Sequence, residues 1–114
     1  MKKQTLKIVK IGGNVINNDS SLTSFLSDFA ALEGPKILVH GGGKRASEIS
    51  SAMGLVPKMI DGRRVTDSET LEVVTMVYAG LLNKKMTAQL QKYNCNAIGL
   101  SGADGDDLGF TWNG

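Results

Sequence analysis

The chain has 114 residues, 13 Lys+Arg against 11 Asp+Glu, a formal net charge of +2, an apolar fraction of 41% and one cysteine. That length suits at most one domain with a real core. A charge this small, on lysines that are scattered rather than blocked together, argues against a nucleic-acid partner. No run approaches the roughly 20 apolar residues of a membrane span. Met1-Lys2-Lys3-Gln4 leads directly into a short strand, unlike a signal peptide. Cys95 cannot form an internal disulfide and suits a reducing compartment, so the expectation is a soluble, cytoplasmic chain.

Leu6 to Ile11 is apolar except for Lys7 and Lys10, and reads as a buried first strand ending in Gly12-Gly13. Asn17-Asn18-Asp19-Ser20 is a helix-start cluster. Leu22, Phe25, Leu26, Phe29 and Leu32 follow at the three- and four-residue spacing of one helical face. Gly34-Pro35 stops that helix, and a second strand, Lys36 to His40, runs into Gly41-Gly42-Gly43. A crossover of this length makes the two strands parallel. Ala46, Ile49, Ala52 and Met53 mark the next helix, ended by Gly54, and Leu55 to Arg64 has room for a short edge hairpin or an irregular loop.

Thr66-Asp67-Ser68-Glu69 reads as a capping box. It opens a long helical pattern through Leu71, Val74, Tyr78, Leu81, Leu82, Met86 and Leu90, with a bend expected at Gly80 or Asn83. Ala97 to Leu100 reads as a third strand before Ser101-Gly102-Ala103-Asp104-Gly105, and Leu108 to Trp112 as an edge strand. The expected fold class is α/β, a three-layer αβα sandwich around a mainly parallel open sheet of three strands.

In such sheets ligands bind beyond the carboxyl ends of the strands. Lys10, Gly12, Gly13, His40, Gly41 to Gly43 and Gly102 all fall there. Glycine lets an anion approach the main chain closely, and a helix starting after the turn aims free N–H groups and its dipole at the same point. A P-loop does not fit, because Gly43-Lys44 is followed by Arg45. Gly41, Gly43 and Ala46 match a dinucleotide fingerprint, but Asp61 closes no apolar strand, so that match is weak. His40 reads as a structural hydrogen-bonder rather than a base, Asn83 as a helix cap or bend with a place near substrate as the alternative, and Asp104 as a turn residue rather than a metal carboxylate. With one His and one Cys no metal cluster is expected.

Val9-Lys10-Ile11-Gly12-Gly13, Val39-His40-Gly41-Gly42-Gly43, Gly62-Arg63-Arg64-Val65-Thr66, Leu82-Asn83-Lys84 and Gly99 to Gly105 stand in an order and spacing that resembles the N-terminal half of the N-acetylglutamate kinases. These belong to the amino acid kinase family, of carbamate kinase-like fold. The resemblance implies phosphorylation of the γ-carboxylate of an N-acylated L-glutamate by MgATP, the second step of arginine biosynthesis. N-acetyl-L-glutamate and N-succinyl-L-glutamate both remain open as the substrate. It implies that Lys10 stabilises charge on the transferring phosphoryl group, that Gly12 and Gly13 touch that group, and that Gly42 and Gly43 hold the reacting carboxylate. Arg64 would pair with the α-carboxylate. It further implies an arginine-insensitive homodimer joined through the helix around Leu71 to Leu82. Residues 1–114 would be the acylglutamate-binding lobe of a longer kinase, whose nucleotide-binding lobe is not in this sequence and which holds most of the ATP and Mg²⁺ site. The alternative is a non-catalytic carboxylate-binding or regulatory module of the same fold.

Overall fold

The computed structural model describes residues 4–56, 58–65 and 67–105, so Thr66 and the expected Leu108–Trp112 strand lie outside the described residues. Strand β1 (Lys7–Ile11) is followed by a single helical turn, α1 (Gly13–Ile16), and by helix α2 (Asp19–Ala31). Strand β2 (Lys36–His40), helix α3 (Gly43–Ala52) and a hairpin of β3 (Lys58–Ile60) with β4 (Arg63–Val65) come next. The chain then forms one long rod: α4 (Ser68–Thr75), a π-helical segment (Met76–Leu82) and α5 (Asn83–Lys92).

β1 and β2 pair in parallel, with Lys7 opposite Lys36 and Ile11 opposite His40. Side chains alternate between the faces of a strand. Val9, Ile11, Leu38 and His40 therefore share the packed face, while Ile8, Lys10, Ile37 and Val39 share a face that is exposed. The hairpin is antiparallel, Met59 opposite Arg64, and forms a separate two-stranded sheet.

The α2 stripe falls where the periodicity predicts. Leu22, Leu26 and Phe29 are buried and Phe25 stacks on Phe29, whereas Leu32 is exposed because the helix has already ended. Asn18 caps the start by accepting from the Ser21 N–H, satisfying one of the donors a helix leaves free. At the other end the Lys36 ammonium donates to the carbonyls of Phe29 (2.8 Å) and Ala30 (3.0 Å). A lysine there satisfies orphan carbonyls and complements the helix dipole, and it ties the end of α2 to the first residue of β2.

The long rod departs from the predicted stripe. Its buried residues are Val73, Val77, Leu82, Met86 and Leu90, while Leu71 and Leu81, expected in the core, are exposed. The buried row contains one five-residue step, from Val77 to Leu82. In a regular α-helix five residues would rotate a side chain about 140° out of line. The π-helical segment, with its i→i+5 bonding, absorbs the extra residue there and keeps both sides of the step on the core. The rod starts one residue later than the predicted capping box implies: Asp67 is the N-cap and accepts from the Thr70 N–H at 2.8 Å.

The expected third strand, Ala97 to Leu100, joins no ladder among the described residues. Side chains of α5 take its carbonyls instead: Gln91 donates to Ala97 O (2.8 Å), Lys84 to Gly99 O (2.8 Å) and Asn83 to Leu100 O (3.2 Å). Gly99 is required for this approach, since a Cβ there would run into Asn83 and stand 2.6 Å from the Thr87 hydroxyl. The segment is thus held to a helix by side chains, not to a sheet by backbone.

Leu26 has no exposed surface and sits where α2 meets the core. Leu26→Ala is expected to lower unfolding stability by about 2–5 kcal/mol, read as a lowered urea midpoint at unchanged slope.

Candidate functional site

Because β1 and β2 are parallel and Ile11 is level with His40, the turns that follow them emerge side by side at one edge of the sheet. Neighbouring strands lie about 4.8 Å apart, so the Gly12-Gly13 and Gly41-Gly42-Gly43 turns border one shallow site. Gly12 caps the single turn α1, whose Val15 and Ile16 N–H groups both bond to the Gly12 carbonyl at 3.2 Å. Gly42 caps α3, the Ala46 N–H bonding to its carbonyl at 3.0 Å. The first N–H groups of α3 have no intrahelical partner, and the dipole of the helix adds positive character beside Gly42 and Gly43.

Gly42 is buried, with φ +154°. A Cβ at this position would collide with the Leu82 side chain and lie 3.5 Å from the Tyr78 ring, and one on Gly43 would lie 3.3 Å from the Tyr78 hydroxyl. The π-helical segment therefore presses Leu82 and Tyr78 onto the turn from behind. Nothing lies within 4 Å of a Cβ on Gly12 or Gly41, so their backbone is open to the site. Tyr78 reads in the sequence only as one more member of an apolar stripe. Its hydroxyl beside Gly43 becomes visible once the fold stacks the rod behind the turn.

Lys10 is one residue before the end of β1, and its side chain is exposed on the open face of the sheet, level with Val39. His40, one residue later in the register, is on the packed face. Its Nδ1 is 2.9 Å from the Gly41 carbonyl and its Nε2 is 3.2 Å from Asn83 Nδ2, which fits the structural role expected for it. Arg64 is in β4, and its side chain lies outside the described residues. Val65 beside it, with Ala46, Ser50 and Ser51 of α3 and Thr70 and Val74 of α4, lines a hollow of about 30 Å³.

Asp104 is a turn residue. The Ser101 N–H donates to its carboxylate at 2.6 Å and the Ser101 hydroxyl at 3.1 Å, and these bonds hold its carboxyl below the usual aspartate range. The structure thus brings Lys10, Gly12, Gly13, Gly42 and Gly43 to one sheet edge. Among the described residues no group of three His, Cys, Asp or Glu could hold a metal ion, and no helix is long and apolar enough to cross a membrane.

A parallel pair whose strands both end in glycine turns leading into helices defines an α/β protein with two helix N-termini at one sheet edge. The chain belongs to the amino acid kinase family, whose model it matches over residues 5–113. It is 62% identical over 101 residues to the acetylglutamate kinase of Cytophaga hutchinsonii, covering 89% of this chain and 38% of that one. It is 52% identical over 102 residues to that of Bacteroides fragilis, covering 90% and 39%. The chain thus spans about two fifths of the length of the curated relatives it matches. Among solved structures, N-acetylglutamate synthase of Neisseria gonorrhoeae complexed with coenzyme A and N-acetyl-glutamate matches with a TM-score of 0.58 at 24% identity, over 78% of this chain and 21% of that one. The smu.665 protein of Streptococcus mutans matches with a TM-score of 0.55 at 23% identity, over 78% and 37%. The fold is accordingly that of the amino acid kinases.

Gly42→Ala places a side chain where φ is positive and Leu82 already stands, and is expected to cost roughly 1–3 kcal/mol. If the collision is the cause, the loss is smaller in a Leu82→Ala background; a double-mutant cycle by urea unfolding measures the difference.

Proposed function

We propose that this chain is the acceptor-binding lobe of a kinase that transfers the γ-phosphoryl group of ATP to the γ-carboxylate of an N-acylated L-glutamate, giving an acyl phosphate for arginine biosynthesis. The observation that carries the reading is the register of Ile11 with His40, which sets two glycine turns side by side at the carboxyl edge. Relatives named acetylglutamate kinase, 62% and 52% identical to this chain, support the named acceptor.

Phosphoryl transfer asks little covalent chemistry of protein groups. It needs in-line positioning and neutralisation of negative charge spread over the moving group. Gly42 and Gly43, at the start of α3, offer N–H groups to the attacking carboxylate. Gly12 and Gly13 offer theirs to the phosphoryl group, with the Lys10 ammonium supplying positive charge on the same side. Arg64 would grip the α-carboxylate, for which a planar guanidinium fork is suited. A γ-carboxylate is ionised near pH 7, so no general base is needed. ATP enters as MgATP and is substrate, bound mainly by the remainder of a longer protein.

The test is ADP release by the full-length protein with N-acetyl-L-glutamate and with N-succinyl-L-glutamate. Lys10→Ala is expected to lower kcat about 10²-fold or more with little change in acceptor KM, whereas Arg64→Ala mainly raises that KM. Turnover untouched in Lys10→Ala would remove the lysine from the mechanism. A faster reaction with the succinyl substrate would keep the chemistry and change the acceptor. ATP-independent binding of the carboxylate without turnover would instead favour the regulatory module.

We also propose a homodimer joined through the rod. Leu71, Met76 and Leu81 are exposed on it, and Leu71, Glu72, Thr75 and Met76 line a shallow hollow. Met76→Glu is expected to shift the full-length protein to monomer in light scattering; a dimer that survives it unchanged places the interface elsewhere.

A further inference from the structure

The hydrogen bonds around Asn83 leave its amide one orientation. Its Oδ1 is 3.1 Å from the Lys84 ammonium, which can only donate, and its Nδ2 is 3.2 Å from the Leu100 carbonyl, which can only accept. Flipping the amide would set oxygen against oxygen and NH₂ against ammonium. The Nδ2 face is therefore the one that meets His40 Nε2, at 3.2 Å, so Nε2 must present its lone pair. A neutral imidazole carries one N–H, which then sits on Nδ1 and donates to the Gly41 carbonyl at 2.9 Å.

That last bond reaches the site. The peptide linking Gly41 to Gly42 is planar and trans, so its C=O and N–H point in opposite directions. Anchoring the Gly41 oxygen on the packed face fixes where the Gly42 N–H is aimed. We infer that Asn83 is a positioning residue, which locks His40 as the Nδ1–H tautomer so that the ring clamps the Gly41 carbonyl and turns the Gly42 N–H toward the acceptor carboxylate. The last link rests on the proposed function; the tautomer does not.

The same contacts give Asn83 a second attachment. Through Leu100 O, and through Lys84 on Gly99 O, the start of α5 also grips the 97–100 segment leading to the Ser101–Asp104 turn. One asparagine thus couples the second glycine turn to the next loop at the same end of the molecule. The rod supplies this link from the junction where the π-helical segment gives way to α5.

The test uses ¹⁵N-labelled full-length protein, with long-range ¹H–¹⁵N spectra and the His40 signals identified by their loss in His40→Gln. The expected pattern is a protonated Nδ1 and an unprotonated Nε2 without substrate. A proton on Nε2 in the unaltered protein overturns the inference without any variant. Asn83→Asp replaces the donor by an acceptor of nearly the same shape and is expected to move the proton onto Nε2. With N-acetyl-L-glutamate as acceptor, kcat/KM should then fall about tenfold, the loss of one well-aimed hydrogen bond. Asn83→Ser serves if the aspartate variant does not fold, with the fixed tautomer expected to be lost. A shifted tautomer with kcat/KM unchanged overturns the positioning role and leaves the kinase standing. If the unaltered protein transfers no phosphoryl group to an acylglutamate, the proposed function fails, and the positioning role with it, while the tautomer result stands.

Discussion

The parallel pairing of β1 with β2 is the constraint on which the other features depend. Ile11 level with His40 puts Gly12 beside Gly41 and makes one edge out of two turns some thirty residues apart in the chain. A slip of one residue would exchange packed and open faces on one strand. Slipping β1 would put Lys10 into the core, and slipping β2 would turn His40 away from Asn83. The register is protected by what each face carries: Val9, Ile11 and Leu38 against the core, and Lys36 buttoned onto the last carbonyls of α2.

Behind that edge the π-helical segment matters as much as the glycines. Its additional residue keeps Val77 and Leu82 on the core together, and it brings Leu82 and Tyr78 against Gly42 and Gly43. A tight glycine turn backed by a hydrophobic wall cannot easily rearrange, since close-packed interiors transmit displacement instead of absorbing it. Preorganised backbone donors are useful to catalysis for that reason, because they need no reorientation when charge develops. The Asn83–His40 bond adds a polar restraint at the same place.

Features written in local spacing were legible in the sequence. The α2 stripe from Leu22 to Phe29, the Asn18 start and the two strand-to-glycine junctions depend on neighbours within one or two turns of chain, whereas α2 ends at Ala31, ahead of the stop expected at Gly34-Pro35. The candidate site was legible for the same reason: lysine and glycine stand at strand ends, and strand ends are visible as the limits of apolar runs. On the rod, a period of 3.6 cannot be carried through the π-helical stretch, so it puts Leu81 in the core where the structure buries Val77 and Leu82. In α4 the packing selects Val73 over Leu71, a choice between neighbouring apolar residues that spacing alone does not make. Ala97 to Leu100 has a strand's composition, but its carbonyls go to Gln91, Lys84 and Asn83, a competition between partners that composition does not record.

The amino-acid sequence by itself determined the α/β class, the order of the helices and the two strands that pair, and the kind of chemistry the glycine turns and Lys10 can offer, since these follow from short-range sterics and hydrophobic spacing. Only the tertiary structure decided which residues stand behind the turns, which face carries Lys10, and what His40 and Asn83 do. Those depend on strand register and on a helix that arrives from forty residues further along the chain. The direction in which a backbone N–H is aimed is fixed by the partner of the neighbouring carbonyl, and that partner is chosen by packing rather than by sequence distance.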